Sequence, residues 1–389
     1  MSAASSANNS NSPKVLCITN DFGPRAGGIE TFIIGLIERA PKNSVVVYTS
    51  SQHDSESFDA AWLDNFGVEV IRDRATILLP SLRVGRNVRK VLSSRRITTV
   101  FFGAGAPLGL LAQGLRRAGA KRIVALTHGH EVWWAKLWPF KVLLKRIGNG
   151  VDVLTYLGEF TRTEISKALS ARAKSAMVKI APGIDTEHFS PRSDAQELKK
   201  SLGLGEKKVI VSVGRLVHRK GQDTLIEALP QIAAVIPNVH LLFIGEGPYL
   251  KHLQKRAAVL GIQESVTFLG RIQYSQLPQY ICVGNLFAMP SRSRLAGLEV
   301  EGLGIVYLEA SACGLPVIGG ISGGAPDALI EGVTGFAVDG KSANAVADAA
   351  IKILSNPQLA QSMGHAGRDW IIRDWRWELW ATKFNELLK

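Results

Sequence analysis

The sequence predicts an α/β protein made of two Rossmann-like, doubly wound domains that face each other across a cleft. Three observations lead to this prediction. The chain has 389 residues, which is too long for one compact core at roughly 150 residues per domain. Short apolar runs alternate with helical patterns, as in the βαβ units of parallel sheets. The alternation stops near residues 181–185, where Pro and Gly interrupt it, and then starts again.

Each half of the chain carries its own series of strand-like runs. In the first half they lie at 14–20, 45–49, 68–71, 99–102, 123–127 and 153–156, with helical patterns at 29–39, 82–92 and 108–118. In the second half they lie at 209–213, 240–245, 266–269, 286–290, 316–319 and 335–338, with a helix from Gln222 and a Trp-rich helical end at 370–388. Open α/β sheets bind ligands beyond the carboxyl ends of their strands, so we expect two substrates to meet in the cleft.

The composition excludes several classes of protein. Hydrophobic residues make up 46% of the chain and charged residues 20%, as in an ordinary globular protein. No apolar run approaches the roughly 20 residues of a membrane-spanning helix. Residues 1–13 have neither the basic nor the apolar region of a secretory signal, and we expect them to form a flexible tail. The three cysteines are too few for a disulfide framework, which favours a reducing, cytoplasmic location.

The positive charge is concentrated in one half of the chain. Residues 1–184 contain 25 Lys and Arg against 13 Asp and Glu, whereas residues 185–389 contain 21 against 20. This asymmetry indicates an anionic partner for the first half, either membrane lipid or nucleic acid. A solvated basic surface that serves only solubility is the alternative.

Two basic stretches favour a membrane surface as that partner. Helical spacing places Arg83, Arg86, Arg89 and Lys90 on one face, and Arg95 and Arg96 follow. Further along, aromatic and basic residues are interleaved: Trp133, Trp134, Trp138 and Phe140 with Lys136, Lys141, Lys145 and Arg146. Basic residues beside interfacial aromatics are typical of helices that lie on an anionic bilayer. Alternatively, the aromatic residues belong to the core and the cations to a wet surface.

A basic loop, GRLVHRKG at 214–221, directly follows a strand of the second half. Arg215 and Lys220 lie five residues apart on this loop. The planar guanidinium of the first and the compact ammonium group of the second are together suited to binding a diphosphate. The loop matches neither the GxxxxGK[ST] nor the GxGxxG pattern. A solvated basic turn would look the same in the sequence.

The stretch EGLGIVYLEA, residues 301–310, contains two carboxylates with seven residues between them. Glycines open the backbone just before a helix, so the amides of Gly304, Ile305 and Val306 are expected to face an anion. Glu309 lies more than one turn inside that helix, within reach of a ribose, and Glu301 lies in the loop before it. The alternative is that both are surface acids.

The first half contributes two further candidate segments. Gly27 and Gly28 open a helix and suit a phosphate or a sugar, and Asp21 precedes them as an acceptor for hydroxyl groups or as a loop cap. His128 follows a strand and is a candidate for a cleft contact, with a core position as its alternative. The local HGHE sequence is a poor metal-binding set, because metal sites need three or four convergent ligands.

Taken together, EGLGIVYLEA, GRLVHRKG, PGID, FIGEGP and the Trp-rich end make the whole chain resemble the retaining GT-B glycosyltransferases of family 4. Within that family it is most similar to members that move mannose from GDP-mannose to phosphatidylinositol mannosides. The resemblance implies a nucleotide-sugar donor, no cofactor or metal, an anionic lipid acceptor, and a peripheral location at the inner face of the plasma membrane. It also implies an acceptor-binding domain of residues 1–184 plus 373–389 and a donor-binding domain of residues 185–372.

The resemblance assigns roles to the matching positions. Arg215 and Lys220 match the pair that holds the diphosphate, and Glu301 matches the acid beside the transferred sugar. The remaining matches are Glu309 with the ribose, Gly304, Ile305 and Val306 with phosphate and sugar, His128 and Gly27–Gly28 with the cleft of the first domain, and Gly270, Arg271 and Ile272 with the base. The implied reaction is front-face attack with retention, in which Glu301 orients the sugar and forms no covalent bond.

Other classes of protein fit less well. A nicotinamide-dependent oxidoreductase would need GxGxxG after a strand, and the loop DFGPRAGG does not fit. A nucleic-acid-binding protein would explain the basic half, but no recognition motif is found, so we expect no nucleic-acid partner. Within the transferase class, another nucleotide sugar or a soluble acceptor stays open, as does the oligomeric state.

Overall fold

Two parallel β-sheets organise the protein. The structure, a computed structural model, describes residues 14–24 and 27–389, so the expected tail at 1–13 lies outside the described residues. The first sheet has seven strands in the order β3-β2-β1-β4-β5-β6-β7. Its strands are β1 Val15–Ile18, β2 Val45–Thr49, β3 Glu69–Arg72, β4 Thr99–Phe102, β5 Arg122–Ala125, β6 Val153–Tyr156 and β7 Met177–Lys179.

Helices cover both faces of this sheet. They are α1 Gly28–Glu38, α2 Glu56–Phe66, α3 Leu82–Ser94, α4 Ala112–Arg117, α5 Glu131–Lys136, α6 Phe140–Gly150, α7 Glu159–Ser166 and α8 Ala171–Ser175. The central strand pairs in register on both sides, Val15 with Val45 and with Thr99. Leu16, Cys17 and Ile18 are completely buried, as expected for a parallel strand that is covered on both faces.

The second sheet has six parallel strands in the order β10-β9-β8-β11-β12-β13. Its strands are β8 Lys208–Val213, β9 Val239–Ile244, β10 Val266–Phe268, β11 Leu286–Met289, β12 Val317–Gly320 and β13 Gly335–Val338. The helices that follow β7 are α9 Ala195–Ser201, α10 Gln222–Val235, α11 Leu250–Val259, α12 Leu277–Ile281, α13 Ile305–Ala312, α14 Ala343–Leu354, α15 Pro357–Asp374 and α16 Trp377–Leu387.

Both sheets have the strand order of doubly wound α/β domains, which confirms the predicted fold class. The chain winds outward in one direction from β1 and β8, and in the other direction from β4 and β11. Ligands bind at such switch points, beyond the carboxyl ends of the central strands. The loops that start at residues 19 and 214 leave the sheets at these points, so the topology places both at the site.

The chain passes between the two domains at two adjacent places. The backbone N–H of Ile184 donates to the carbonyl of Trp375 at 2.7 Å, and Ile184 and Arg376 form a parallel bridge. Beyond this crossing α16 packs against α1, and Arg122 donates to the carbonyl of Leu387 at 2.7 Å. These contacts agree with a last helix that crosses back, while the limits 1–184, 373–389 and 185–372 stay a prediction.

No helix in the described part of the chain is long and apolar enough to cross a membrane.

Candidate active site

A cavity of about 460 Å³ lies between the carboxyl ends of the two sheets. The first domain contributes the start of α1 and the loop after β5, and the second contributes the segment that leads into α13. The residues predicted from the sequence that line it are Gly28, His128, Glu301, Gly304 and Ile305. Segments far apart in the chain therefore meet in one cavity, as the doubly wound topology requires.

The two domains touch through backbone at this cavity. A Cβ atom at Gly129 would lie 2.9 Å from the Cα of Gly302, and one at Gly302 would lie 2.8 Å from the carbonyl oxygen of His128. Gly129 also has φ +97°, which side-chain-bearing residues rarely adopt. Only glycine allows so close an approach, and the contact brings His128 and Glu301 to one cavity.

Glu301 is buried beside two cations. Its Oε2 accepts hydrogen bonds from Lys220 Nζ at 2.8 Å and from Arg219 Nη1 at 2.8 Å. Burial alone would raise the pKa of Glu301, but the charges and hydrogen bonds of Lys220 and Arg219 outweigh it and hold the pKa below its ordinary value. Glu301 is therefore a carboxylate at neutral pH, an acceptor suited to sugar hydroxyl groups.

Arg219 is the residue that the sequence reasoning missed. It lines the cavity and bonds to Glu301, and its Nε lies 3.7 Å from Glu299. Among the described residues, neither Lys220 nor its predicted partner Arg215 lines the cavity: Lys220 is buried against Glu301, and Arg215 is exposed. The signal in the sequence is the run of three basic residues, His218-Arg219-Lys220, which places a second cation directly beside Lys220.

The helix α13 opens toward the same cavity. Gly304 precedes it with φ +78°, and a Cβ there would lie 2.4 Å from the ring of Tyr307. No side chain in the described structure caps this end. The amides of Ile305 and Val306 in its first turn therefore suit an anion, assisted by the helix dipole.

A smaller cavity of about 110 Å³ continues from the first and contains Glu309. Gly28 and Ile305 line both cavities, and Asp185 and Tyr274 join them in the second. Burial raises the pKa of Glu309 to about 7. Hydroxyl groups that donate to this carboxylate would favour its charged form, as the two hydroxyls of a ribose would.

A third cavity, of about 600 Å³, adjoins the second through Thr31 and Tyr274. Arg271 and Ile272 line it, as predicted for the base, and Gly270 stands just before them with φ +73°. The carbonyl of Gly270 accepts from the amide of Gly245 at 2.7 Å, which ties this loop to the end of β9. The three cavities form one path from Glu301 past Glu309 to residues 270–272.

His128 has a defined tautomer. Its Nε2 lies 2.5 Å from the carbonyl oxygen of Gly103, which can only accept, so Nε2 carries the proton and Nδ1 is left as an acceptor. Burial lowers its pKa, although the charge of Glu131 opposes the shift. The backbone amide of His128 donates to Glu131 at 3.0 Å, which fixes the loop. His128 is therefore neutral at pH 7.

The remaining predicted residues lie near α1. Gly28 begins this helix and lines two cavities, and Gly27 stands directly before it. Asp21 lies between β1 and α1, and its amide donates to Thr19 Oγ1 at 2.9 Å. Asp21 does not line the three cavities described above, while the two residues between Pro24 and Gly27 lie outside the described structure.

The HGHE segment does not form a metal site in this arrangement. His130 Nε2 lies 3.2 Å from Glu131, and His128 is bonded to Gly103. Within residues 14–24 and 27–389, no three His, Cys, Asp or Glu side chains converge in a way that could hold a metal ion.

Known proteins resemble this chain over nearly its whole length. Residues 26–188 match the family described as Glycosyltransferase Family 4, and residues 194–370 match Glycosyl transferases group 1. A GDP-mannose-dependent alpha-(1-6)-phosphatidylinositol monomannoside mannosyltransferase of Mycolicibacterium smegmatis is 43% identical, over 96% of this chain and 98% of its own. The monoacylated-substrate counterpart of Corynebacterium glutamicum is 38% identical, over 97% and 98%.

Solved structures resemble the fold. HepE of Anabaena, in complex with UDP, superposes with a TM-score of 0.81 at 19% identity and covers 96% of this chain and 99% of its own. Sucrose-phosphate synthase of Thermosynechococcus elongatus gives 0.74 at 22% identity and covers 96% and 98%. These likenesses support the GT-B fold, and the sequence matches go further. The chain therefore belongs to glycosyltransferase family 4, with a second domain of the glycosyl transferases group 1.

Proposed function

We propose that the protein moves mannose from GDP-mannose to a phosphatidylinositol mannoside at a membrane surface, with retention at the anomeric carbon. One observation carries the proposal. A continuous path runs from the buried carboxylate Glu301, past the start of α13, to the buried acid Glu309 and the loop at 270–272. Its polar groups follow the order of sugar, diphosphate, ribose and base in a nucleotide sugar. The relatives named above supply the choice of donor and acceptor.

The diphosphate has a defined place in this proposal. Lys220 and the amides at the start of α13 neutralise its charge, and Arg215 reaches it from the loop edge. Glu309 accepts from the ribose hydroxyls, and backbone at 270–272 contacts the base. Cations and helix amides that are already in place stabilise the charge that develops on the leaving diphosphate. We therefore also propose that transfer needs no metal ion.

The bond changes balance without a covalent enzyme intermediate. The bond from the anomeric carbon to the β-phosphate oxygen breaks, and an acceptor hydroxyl oxygen attacks that carbon from the same face. The hydroxyl proton passes to the leaving phosphate oxygen, so GDP departs. Glu301 orients the sugar, because both Lys220 and Arg219 bond its Oε2 and reduce its nucleophilicity. Trapping a mannosyl ester on Glu301 would contradict this mechanism.

The acceptor side of the proposal uses the basic surface of the first domain. Helices α3, α4 and α6 pack side by side. Before and at the start of α3, Ile77, Leu79 and Leu82 are 66%, 58% and 87% exposed, next to the exposed cations Arg86, Arg89 and Lys90. Before α6, Trp138 is 81% exposed, followed by the exposed Lys141 and Lys145. Apolar and basic side chains together suit an anionic lipid surface.

Several residues that were predicted for this surface make other contacts. Arg95 forms an ion pair with Glu69, Lys136 donates to the carbonyl of Gly297 at 2.9 Å, and Trp133 lines the cavity that contains Glu301.

Arg83 and Trp134 are also engaged elsewhere. Arg83 forms an ion pair with Asp73 at 2.8 Å, and it extends toward the sheet because that buried carboxylate needs a counter-charge. Trp134 is buried in the first domain's core, where it packs against Phe140. The membrane surface that we propose therefore consists of the exposed residues Ile77, Leu79, Leu82, Arg86, Arg89, Lys90, Trp138, Lys141 and Lys145. This surface supports a peripheral location at the inner face of the plasma membrane.

Liposome binding tests the membrane part. The triple variant Arg86→Glu, Arg89→Glu and Lys90→Glu should lose most of its binding to liposomes that contain anionic phosphatidylinositol, and added salt should weaken wild-type binding. The matched control, Lys251→Glu with Lys255→Glu on the second domain, should bind like wild type. Equal sedimentation of all three proteins with the vesicles would refute the membrane surface.

A donor panel tests the function itself. Purified protein is incubated with GDP-mannose, GDP-glucose, UDP-glucose and UDP-N-acetylglucosamine, each with a phosphatidylinositol monomannoside, with free inositol or without acceptor. Mass spectrometry should show one added hexose only when GDP-mannose and the lipid acceptor are both present. The rate of transfer should be the same with and without EDTA. Transfer from a uridine nucleotide or to inositol would overturn the donor or the acceptor, and loss of activity in EDTA would overturn the metal-free mechanism.

A further inference from the structure

A buried ion pair lies behind the loop that carries Arg215, Arg219 and Lys220. Arg292 and Asp223 are each 8% exposed. Arg292 Nη2 lies 2.5 Å from Asp223 Oδ2, and Arg292 Nη1 donates to Thr224 Oγ1 at 2.9 Å. The guanidinium thus holds two successive residues of α10 at once, which fixes the direction as well as the distance of the contact.

This pair spans the two segments that determine the position of the loop. Asp223 and Thr224 lie in the first turn of α10, immediately after the loop ends at Gly221. Arg292 follows β11, and its backbone amide donates to the carbonyl of Arg219 at 2.8 Å. At Gly221 a Cβ would lie 2.0 Å from the carbonyl oxygen of Pro290, so the two segments are in direct contact there.

A third segment joins the same cluster. Tyr249 Oη donates to Asp223 Oδ2 at 3.0 Å, and the backbone amide of Tyr249 donates to the carbonyl of Leu216 at 3.2 Å. Asp223 and Leu216 are thereby linked through one residue that precedes α11. The loop is held from behind by polar contacts on both sides of β8.

The contribution of the pair to stability does not explain its presence. Asp223 Oδ1 and Arg292 Nε are buried without a hydrogen-bond partner in the described structure. A buried pair with unsatisfied atoms is commonly no more stable than apolar residues of similar volume. What the pair supplies instead is a fixed geometry between α10, β11 and the loop between them.

We propose that Arg292 and Asp223 are positioning residues for nucleotide binding: together they hold the 215–221 loop where its cations meet the diphosphate of the donor. The inference rests on the proposed function. Neither residue lines the three described cavities, so both act through the loop backbone and the start of α10. Displacing the cations by a fraction of an ångström weakens several charge-assisted contacts at once.

The test compares nucleotide affinity in four variants of the full chain. Arg292→Met and Asp223→Asn remove one charge each at nearly constant volume, and Arg292→Lys keeps the charge but loses the two-pronged contact. The control, Arg256→Met, removes an exposed ion pair to Glu227 on the same domain. Calorimetric titration with GDP should give a Kd at least about tenfold higher for the first two, an intermediate value for the lysine variant and the wild-type value for the control.

Kinetics and stability separate positioning from simple support of the fold. In the two strong variants the KM for GDP-mannose should rise while the KM for the lipid acceptor stays unchanged. The double variant Arg292→Met with Asp223→Leu should recover the melting temperature of wild type without recovering GDP affinity. Recovery of both, or wild-type GDP affinity in the folded single variants, would overturn the positioning role. Absence of GDP binding by the wild type would instead refute the proposed function.

Discussion

At the scale of single residues, we expect Lys220 to have two partners during transfer. Without donor it bonds to Glu301, and in the proposed complex it also meets the diphosphate. Arg219 bonds to the same oxygen of Glu301, so the carboxylate keeps one cation when Lys220 turns toward phosphate. The site thus contains a counter-charge for each step.

Replacing Lys220 by Gln should therefore mainly lower turnover. The loss of one fixed electrostatic donor costs about 2.7–4 kcal/mol of transition-state stabilisation, which corresponds to about a 10²–10³-fold lower kcat. Steady-state rates with GDP-mannose and the lipid acceptor measure the effect, and Arg256→Met serves as the control. A change below about fivefold would mean that Lys220 does not contact the leaving group.

Glu309 makes stability depend on pH. Its pKa is about 7 in the folded protein because of burial, above the ordinary value of 4.5. The folded state therefore binds the proton more tightly than the unfolded state, and this residue's contribution to stability is lost as pH rises from about 4.5 through 7. Glu309→Gln removes the titration. The variant should melt at a higher temperature than wild type at pH 8, with the difference shrinking toward pH 5.

In the Glu309→Gln variant, GDP affinity should decrease although stability increases. A glutamine cannot supply a second acceptor oxygen to the ribose, so GDP affinity should fall even though the fold is more stable. Differential scanning fluorimetry across pH and titration with GDP give the two readouts. Parallel pH–melting curves for variant and wild type would show that Glu309 keeps its ordinary pKa.

At the scale of elements, the start of α13 depends on Gly304. The left-handed φ of +78° and the ring of Tyr307 leave no room for a side chain. Gly304→Ala should destabilise the protein by about 1–2 kcal/mol or more and displace the amides that we propose bind the phosphate. Chemical denaturation and GDP titration measure both effects.

A helical glycine elsewhere supplies the comparison. Gly114 lies within α4, and a Cβ there meets no atom within 4 Å. Gly114→Ala should be neutral, or more stable by about 0.5–1 kcal/mol, with unchanged GDP affinity. If both alanine variants behave alike, the backbone conformation at 304 is not what the site requires.

Two elements show the limits of prediction from the sequence. The helix predicted at 108–118 is divided into a 3₁₀ turn, Leu108–Leu111, and the helix α4. Gly109 lies in the 3₁₀ turn and weakens the helical preference there. Strand β7 has only three half-buried residues at the sheet edge, too few for a recognisable apolar run. Long buried strands such as β8 and β9 were readable because both faces are covered.

At the scale of the whole molecule, the two domains meet at the cleft through both backbone and side-chain contacts. Gly129 and Gly302 touch, Asp327 of the second domain accepts from the amide of Phe160 at 3.1 Å, and Lys136 donates to the carbonyl of Gly297 at 2.9 Å. The contacts flank the segment that leads into α13. The packing of the first domain against this segment therefore helps to fix the geometry around Glu301.

Gly129→Ala should separate binding from transfer. The added methyl group would lie 2.9 Å from Gly302 and hold the domains apart, while the residues proposed for the nucleotide lie mainly on the second domain. GDP affinity should stay within about threefold of wild type, and transfer should fall about 10²-fold. Parallel losses of binding and transfer would indicate a local folding defect instead.

The parts of the candidate site that depend on spacing along the chain could be predicted from the sequence. Contacts between segments that are far apart in the chain could not. Glu301 and Glu309 were predicted from their separation and line two adjoining cavities, and the start of α13 was predicted from Gly304. The pairing of Glu301 with Arg219 depends on how the loop after β8 meets the segment before α13, 82 residues later in the chain. The direction of Arg83 depends likewise on a buried acid from a neighbouring loop.

The return of α16 to the first domain has a consequence for how the protein is made. Phe101 and α1 are covered by residues from the last helix, with Phe384 packed 5.1 Å from Phe101 and Trp377 against Gly35. On the ribosome, that apolar surface stays uncovered until α16 has been synthesised. The second domain has all its strands by then, so the amino-terminal half, although synthesised first, is the last to complete its core.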